Sequence, residues 1–201
     1  MSRSPAIAIV PAAGRSERFG GVKLLADIGG EPLLNRTLRC LLDGGADRVL
    51  VVVSADSALA AVPLLADPRV TVVTNPDPSR GMFSSIQTGL ASGPGEPFIV
   101  LPADMPFVRR ETAAAVLSET ARRDTAVVPV YRGRRGHPLG VPGRLRDGLL
   151  VADPRGNLKD ALAAMGVVPL ELHVDDAGVL SDVDVRADLD GSKDNDRTRQ
   201  V

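Results

Sequence analysis

Between Pro11 and Lys23 the chain reads Pro-Ala-Ala-Gly-Arg-Ser-Glu-Arg-Phe-Gly-Gly-Val-Lys, small residues followed by three cations. The small side chains of Ala12, Ala13 and Gly14 let backbone N–H groups approach phosphate oxygens. Arg15, Arg18 and Lys23 can neutralise the charge that builds up in phosphoryl or nucleotidyl transfer. Such a loop can wrap a triphosphate. It is not a Walker loop, because no Gly-Lys-Ser/Thr follows, and it lacks the spaced glycines of a dinucleotide fingerprint. Two acidic segments complement it. Asp104, in Leu101-Pro102-Ala103-Asp104-Met105-Pro106, stands just beyond an apolar run and suits a hard cation such as Mg²⁺, which keeps several waters and needs one or two carboxylates beside substrate phosphates. In the run from Ser181 to Leu189, acid alternates with Val, so Asp182 and Asp184 project to one side if the segment is extended. Asp188 reads as a helix-start or surface acid.

The elements that must position these residues follow from hydrophobic period and punctuation. Short aliphatic runs at Ala6 to Val10, Arg48 to Val53, Val70 to Thr74, Phe98 to Leu101, Ala126 to Val130 and Val167 to Leu172 suit buried strands. Apolar residues at three- and four-residue intervals predict helices over Leu33 to Leu42, Ser57 to Ala66, Ser84 to Ala91, Arg110 to Arg122 and Asn157 to Met165. The alternation predicts an α/β fold with a mostly parallel central sheet. Loops beyond the carboxyl ends of its strands are where open sheets of this kind bind ligands. Residues 1–190 read as one domain, and the polar run from Gly191 to Val201 as a disordered tail.

Composition narrows the partners. The chain has 201 residues, 24 Lys+Arg against 25 Asp+Glu, and a net charge of -1. A polyanion or a membrane surface is bound through basic excess, which is absent here, so neither a nucleic-acid nor a membrane partner is expected. With four Phe, one Tyr and no Trp, the core must be aliphatic and a base-stacking platform can hardly be assembled. Phe19, Phe83, Phe107 and Tyr131 nevertheless lie in or beside the motifs, where they would either wall a small-ligand cleft or anchor the loops to the core. One cysteine, Cys40, excludes an internal disulfide, and the apolar run before Gly14 is too short for a signal-peptide core or a span; a cytoplasmic location is expected.

Five segments taken in order, PAAGRSERFGGVK, GMFSSIQTG at 81 to 89, LPADMPFV at 101 to 108, GRRGHPLG at 133 to 140 and DVDVRADL at 182 to 189, resemble the MobA-like nucleotidyltransferase family, and within it the molybdenum cofactor cytidylyltransferases. The resemblance covers about residues 6 to 190 and implies a three-layer Rossmann-like fold. It implies that Ala12, Ala13, Gly14, Arg15, Arg18 and Lys23 hold the NTP phosphates and that Asp104 and Asp184 bind Mg²⁺, with Lys23, Arg18 and Asp104 catalytic. Gly81, Ser84, Ser85 and Gln87 become candidates for reading the nucleoside. His137 and Arg135, beside Arg132 and Arg134, become candidates for the acceptor.

The resemblance further implies CMP transfer from CTP to the phosphate of molybdopterin cofactor, with release of pyrophosphate and a molybdoenzyme as candidate partner. Pro11 stands where cofactor-type members have Leu, and the Pro-Ala-Ala-Gly opening is also similar to cytidylyltransferases of isoprenoid synthesis. Three alternatives stay open: guanylyl transfer to the same cofactor, nucleotidyl transfer to a sugar or alcohol phosphate, and a catalytically silent module that hands cofactor to a molybdoenzyme.

Overall fold

The protein is represented by a computed structural model that describes residues 5–14, 23–57, 59, 62–93 and 97–190. The run from Gly191 to Val201, and with it the expected tail, lies outside the described residues. β1 (Ile7–Pro11) is buried along its whole length, as a central strand covered on both faces must be. It pairs in parallel with β2 (Arg48–Val53) on one side and β4 (Phe98–Val100) on the other, and β2 pairs in parallel with β3 (Val70–Thr74). Beyond β4 the sheet continues through β7 (Leu139–Val141) and β5 (Val127–Tyr131), both antiparallel contacts; β5 also pairs with the short β6 (Arg134–Arg135) and, in parallel, with β8 (Leu170–His173).

Alternation along β1 divides the core into two layers. Ala6, Ala8 and Val10 pack with α1 (Leu33–Asp43) and α3 (Arg110–Arg123) on one face. Ile7 and Ile9 pack with α2 (Met82–Ser92), α4 (Arg146–Val151) and α5 (Leu158–Ala164) on the other. Two helical layers around one mostly parallel sheet bury both faces of every central strand, which explains the uninterrupted aliphatic runs. The rings serve as anchors: Phe83 and Phe98 lie in the second core layer and Phe107 packs against the first.

Three stretches of the chain depart from the expectation. Where a helix is expected over Ser57 to Ala66, the described residues at its end form a 3₁₀ turn, Pro63–Ala66; Pro63 has no backbone donor and cannot sit inside an α-helix. The strand expected from Val167 starts at Leu170, because Val167 N–H closes the end of α5 on Leu162 O. Strands β6 and β7 and helix α4 lie in a Gly- and Pro-rich stretch too short for a period to register.

Because β1 is followed in the sheet by β2 on one side and β4 on the other, chain connections diverge at its carboxyl end. That is a topological switch point, where the loops after β1 and β4 flank a crevice. Backbone bonds from Ala12 N to Val52 O and from Ala103 N to Pro11 O close its floor.

Candidate functional site

The crevice is a cavity of about 700 Å³ whose walls include Ala12, Ala13, Gly14, Lys23, Gly81, Ser85 and Asp104. At one end Lys23 Nζ donates to Asp104 Oδ2 at 2.7 Å and lies 3.6 Å from Asp184 Oδ1. The Lys23 side chain is 12 % exposed, against 26 % for Asp104 and 47 % for Asp184, so the ammonium is the most enclosed member of the trio. Two carboxylates converging on one cation define a point where positive charge is stabilised. Among the described residues no group of three or more His, Cys, Asp or Glu forms a metal cage. The pair Asp104 and Asp184 fits instead a hard, oxygen-preferring ion that draws its remaining ligands from water and phosphate.

Each acid is held by its local backbone. Asp104 follows β4 in a turn whose own carbonyl accepts from Val183 N at 2.9 Å, tying the two acidic segments together. Asp188 is 8 % exposed, and its Oδ2 accepts from the N–H groups of Asp184 at 2.7 Å and Val185 at 2.9 Å. It lies in the first turn of a 3₁₀ helix, Arg186–Asp190, and shapes the turn that presents Asp184; it is the helix-start acid of the sequence reading and not a surface acid.

The start of α2 also lines the cavity. Gly81, at φ 97°, caps the helix in a conformation that favours glycine, and it aims the first turn at the cleft. Ser85 lines the cavity, while Ser84 is turned inward and donates to Gly81 O at 2.7 Å. Gln87 does not reach the cavity: its Nε2 donates to Leu149 O at 2.8 Å and Ala152 O at 2.9 Å, fastening α2 to the end of α4. Asn75, which sequence reading passed over, is 1 % exposed and bonds both serines. Its only sequence signal is an Asn-Pro pair ending a β run.

His137 N donates to Val179 O at 2.9 Å, holding the β6–β7 connection against the segment before the second acid. Burial pushes its imidazole below the ordinary value, partly offset by the charges of Asp104 and Asp182, and Nδ1 is buried with no partner among the described residues. Burial thus favours the neutral form of the ring, against the opposing field of Asp104 and Asp182. Arg135 is outside the cavity lining; its Nε donates to Glu171 at 2.8 Å across the edge of the sheet. Arg15 and Arg18 lie outside the described residues.

The family model of the MobA-like NTP transferase domain matches residues 8–168, from β1 to just past the end of α5. The chain belongs to the MobA-like NTP transferase domain family. This nucleotidyltransferase assignment agrees with the switch-point crevice and its mixed-charge end. A 2-C-methyl-D-erythritol 4-phosphate cytidylyltransferase of Frankia casuarinae is 31% identical over 88% of this chain and 70% of its own length. The molybdenum cofactor cytidylyltransferase of Escherichia coli is 22% identical over 90% of this chain and 92% of its own. A probable molybdenum cofactor guanylyltransferase of Haloferax mediterranei is 32% identical, but the match covers 50% of this chain and about half, 48%, of that relative's length. In structure, the Mycobacterium tuberculosis H37Rv protein Rv0371c superposes with a TM-score of 0.80 over 95% of this chain and 98% of its own at 24% identity; the likeness shows a common Rossmann-like fold. No helix among the described residues is long and apolar enough to cross a membrane.

Proposed function

We propose that this MobA-like chain is a Mg²⁺-dependent cytidylyltransferase that moves CMP from CTP to the phosphate of molybdopterin cofactor. The observation that carries the reading is the Lys23 ammonium held between Asp104 and Asp184 beside a cleft that the capped start of α2 also lines. A triphosphate placed in the cleft has its phosphates by Lys23 and its nucleoside by the start of α2.

An oxygen of the acceptor phosphate attacks the α-phosphorus of CTP in line; the new P–O bond forms as the bond to the bridging oxygen of the β-phosphate breaks, and pyrophosphate leaves. The acceptor is already ionised at neutral pH, so no protein nucleophile or general base is needed, and the protein acts by positioning and charge stabilisation. Ala12, Ala13 and Gly14 present small side chains and backbone to the phosphates, Lys23 with Arg15 and Arg18 balances charge on the leaving group, and Asp104 and Asp184 would hold the Mg²⁺. Bound there, the ion would supply Lewis-acid stabilisation of the phosphate charge. His137 and Arg135, both outside the cavity lining, serve the acceptor side. A molybdoenzyme that receives the product is the partner this reading calls for.

One observation favours a second acceptor class. The Frankia casuarinae relative, which covers 88% of this chain, is named for a sugar-alcohol phosphate, so nucleotidyl transfer to that kind of acceptor is the competing reading. Purified protein with Mg²⁺, each of the four NTPs and either molybdopterin cofactor or a sugar-alcohol phosphate, followed by pyrophosphate release, separates them. Release with CTP and the cofactor is expected. Release only with the sugar-alcohol phosphate would overturn the acceptor assignment.

A further inference from the structure

Asn75 extends β3 by donating its backbone N–H to Val53 O at 2.8 Å, and its side chain is 1 % exposed beneath the first turn of α2. Its Oδ1 accepts from Asp77 N at 3.0 Å, and its Nδ2 donates to Ser84 Oγ at 2.9 Å and Ser85 Oγ at 3.0 Å. A backbone N–H can only donate, so the amide orientation is fixed: the oxygen must face Asp77 and the NH₂ must face the serines. Both protons of that NH₂ are thereby used, and each serine oxygen is an acceptor toward Asn75. Each hydroxyl proton must then go elsewhere. Ser84 donates to Gly81 O at 2.7 Å. Ser85 is 2 % exposed and lines the cavity, and its hydroxyl has no other hydrogen bond among the described residues.

We infer that Asn75 is a positioning residue that makes the Ser85 hydroxyl an obligatory donor into the cleft, selecting a nucleotide with a hydrogen-bond acceptor at that point of its nucleoside. The inference rests on the nucleotide reading of the cleft. The acceptor is either a carbonyl oxygen of the base or an oxygen of the ribose.

Replacing the NH₂ by a group that cannot donate reverses the arrangement. In Asn75→Asp the two serines donate to the carboxylate, and Ser85 turns lone pairs toward the ligand. CTP binding by titration calorimetry and CTP KM in turnover are then expected to weaken about tenfold, the scale of one lost hydrogen bond, with kcat within about twofold because the reacting atoms are untouched. Ser85→Ala is expected to weaken binding similarly, and Asn75→Asp in the Ser85→Ala background to add nothing, since the amide acts through that hydroxyl.

Analogues locate the acceptor. If it is the base carbonyl, wild type discriminates against 2-thio-CTP and both single variants lose that discrimination; if it is a ribose oxygen, the same holds for 2′-deoxy- or 3′-deoxy-CTP. Additive losses in the double variant, or a variant that keeps wild-type discrimination against every analogue, would overturn the inference while leaving the nucleotide reading intact. Absence of CTP binding by the wild-type protein would overturn both. Should Asn75→Asp not fold by circular dichroism, Asn75→Ala completes the same cycle, and the analogue series on Ser85→Ala alone still decides whether a donated proton is read.

Discussion

Lys23 and Asp104 form the tightest charged contact in the cleft, 2.7 Å with the ammonium enclosed, and neither group is needed to complete the core. Lys23→Ala and Asp104→Asn are therefore expected to leave the circular dichroism spectrum unchanged and to lower pyrophosphate release by roughly 10²–10³-fold, the range found when one preorganised charge-stabilising group is lost. Near-wild-type release from both would refute the assigned role. His137 is tested through pH. Its imidazole titrates below the ordinary value of about 6.5 because it is buried. As pH falls, the unfolded chain takes up that proton first, so the stability present above about 6.5 is lost progressively below it. His137→Gln should make the fall in Tm between pH 7 and pH 5 shallower than in wild type; equal slopes would refute the burial argument. Cys40 has its thiol pushed up to about 12, chiefly by burial and then by Asp176, Glu111 and Asp43. A thiolate is the reactive form, so the native protein should not react with a disulfide reagent at pH 8, whereas denatured protein reacts in full.

At the scale of elements, α2 links the core to the site. A Cβ on Gly89 would fall 2.6 Å from Ile9 Cγ2, so the helix lies close on β1 only because that side chain is missing. Gly89→Val should push α2 outward, costing about 1–3 kcal/mol as overpacking does. It should also raise the nucleotide KM, because the helix carries Ser84 and Ser85. Denaturant titration and kinetics on the same variant check both, and a loss of stability with unchanged KM would show that the start of α2 is fixed independently of Gly89. The turn bearing Asp184 depends in the same way on Asp188. Asp188→Ala leaves two partly buried N–H groups without their acceptor, a loss of about 1–3 kcal/mol, and is expected to weaken the response to divalent cation more than the response to nucleotide.

For the whole molecule, the two core layers share one sheet: Ile7 and Ile9 belong to one and Ala8 and Val10 to the other, along the same strand. Neither layer can be lost without exposing β1, so urea unfolding should be a single transition. Nucleotide that binds only the folded state raises stability by about 2.7 kcal/mol at a hundredfold excess over Kd, which for a chain of this size is a Tm increase of several degrees. The increase should be larger with CTP and Mg²⁺ together than with CTP alone, and Asp104→Asn should abolish the difference. An equal increase in both proteins would place the cation elsewhere.

The sequence by itself determined the layered α/β class, the aliphatic core and the chemistry of the two charged clusters. Uninterrupted aliphatic runs can be buried only in a sheet covered on both faces, and a phosphate loop and a strand-end acid are each local in the chain. Only the tertiary structure brought Lys23 to Asp104 and Asp184, because their convergence depends on β1 and β4 being neighbours and on the last segment returning across the sheet. The same holds for Asn75, Asp188 and Gln87: each is an ordinary polar residue in its own stretch of chain. Its partners lie on another segment or around a turn, so the bond that gives it a role exists only after the chain has folded.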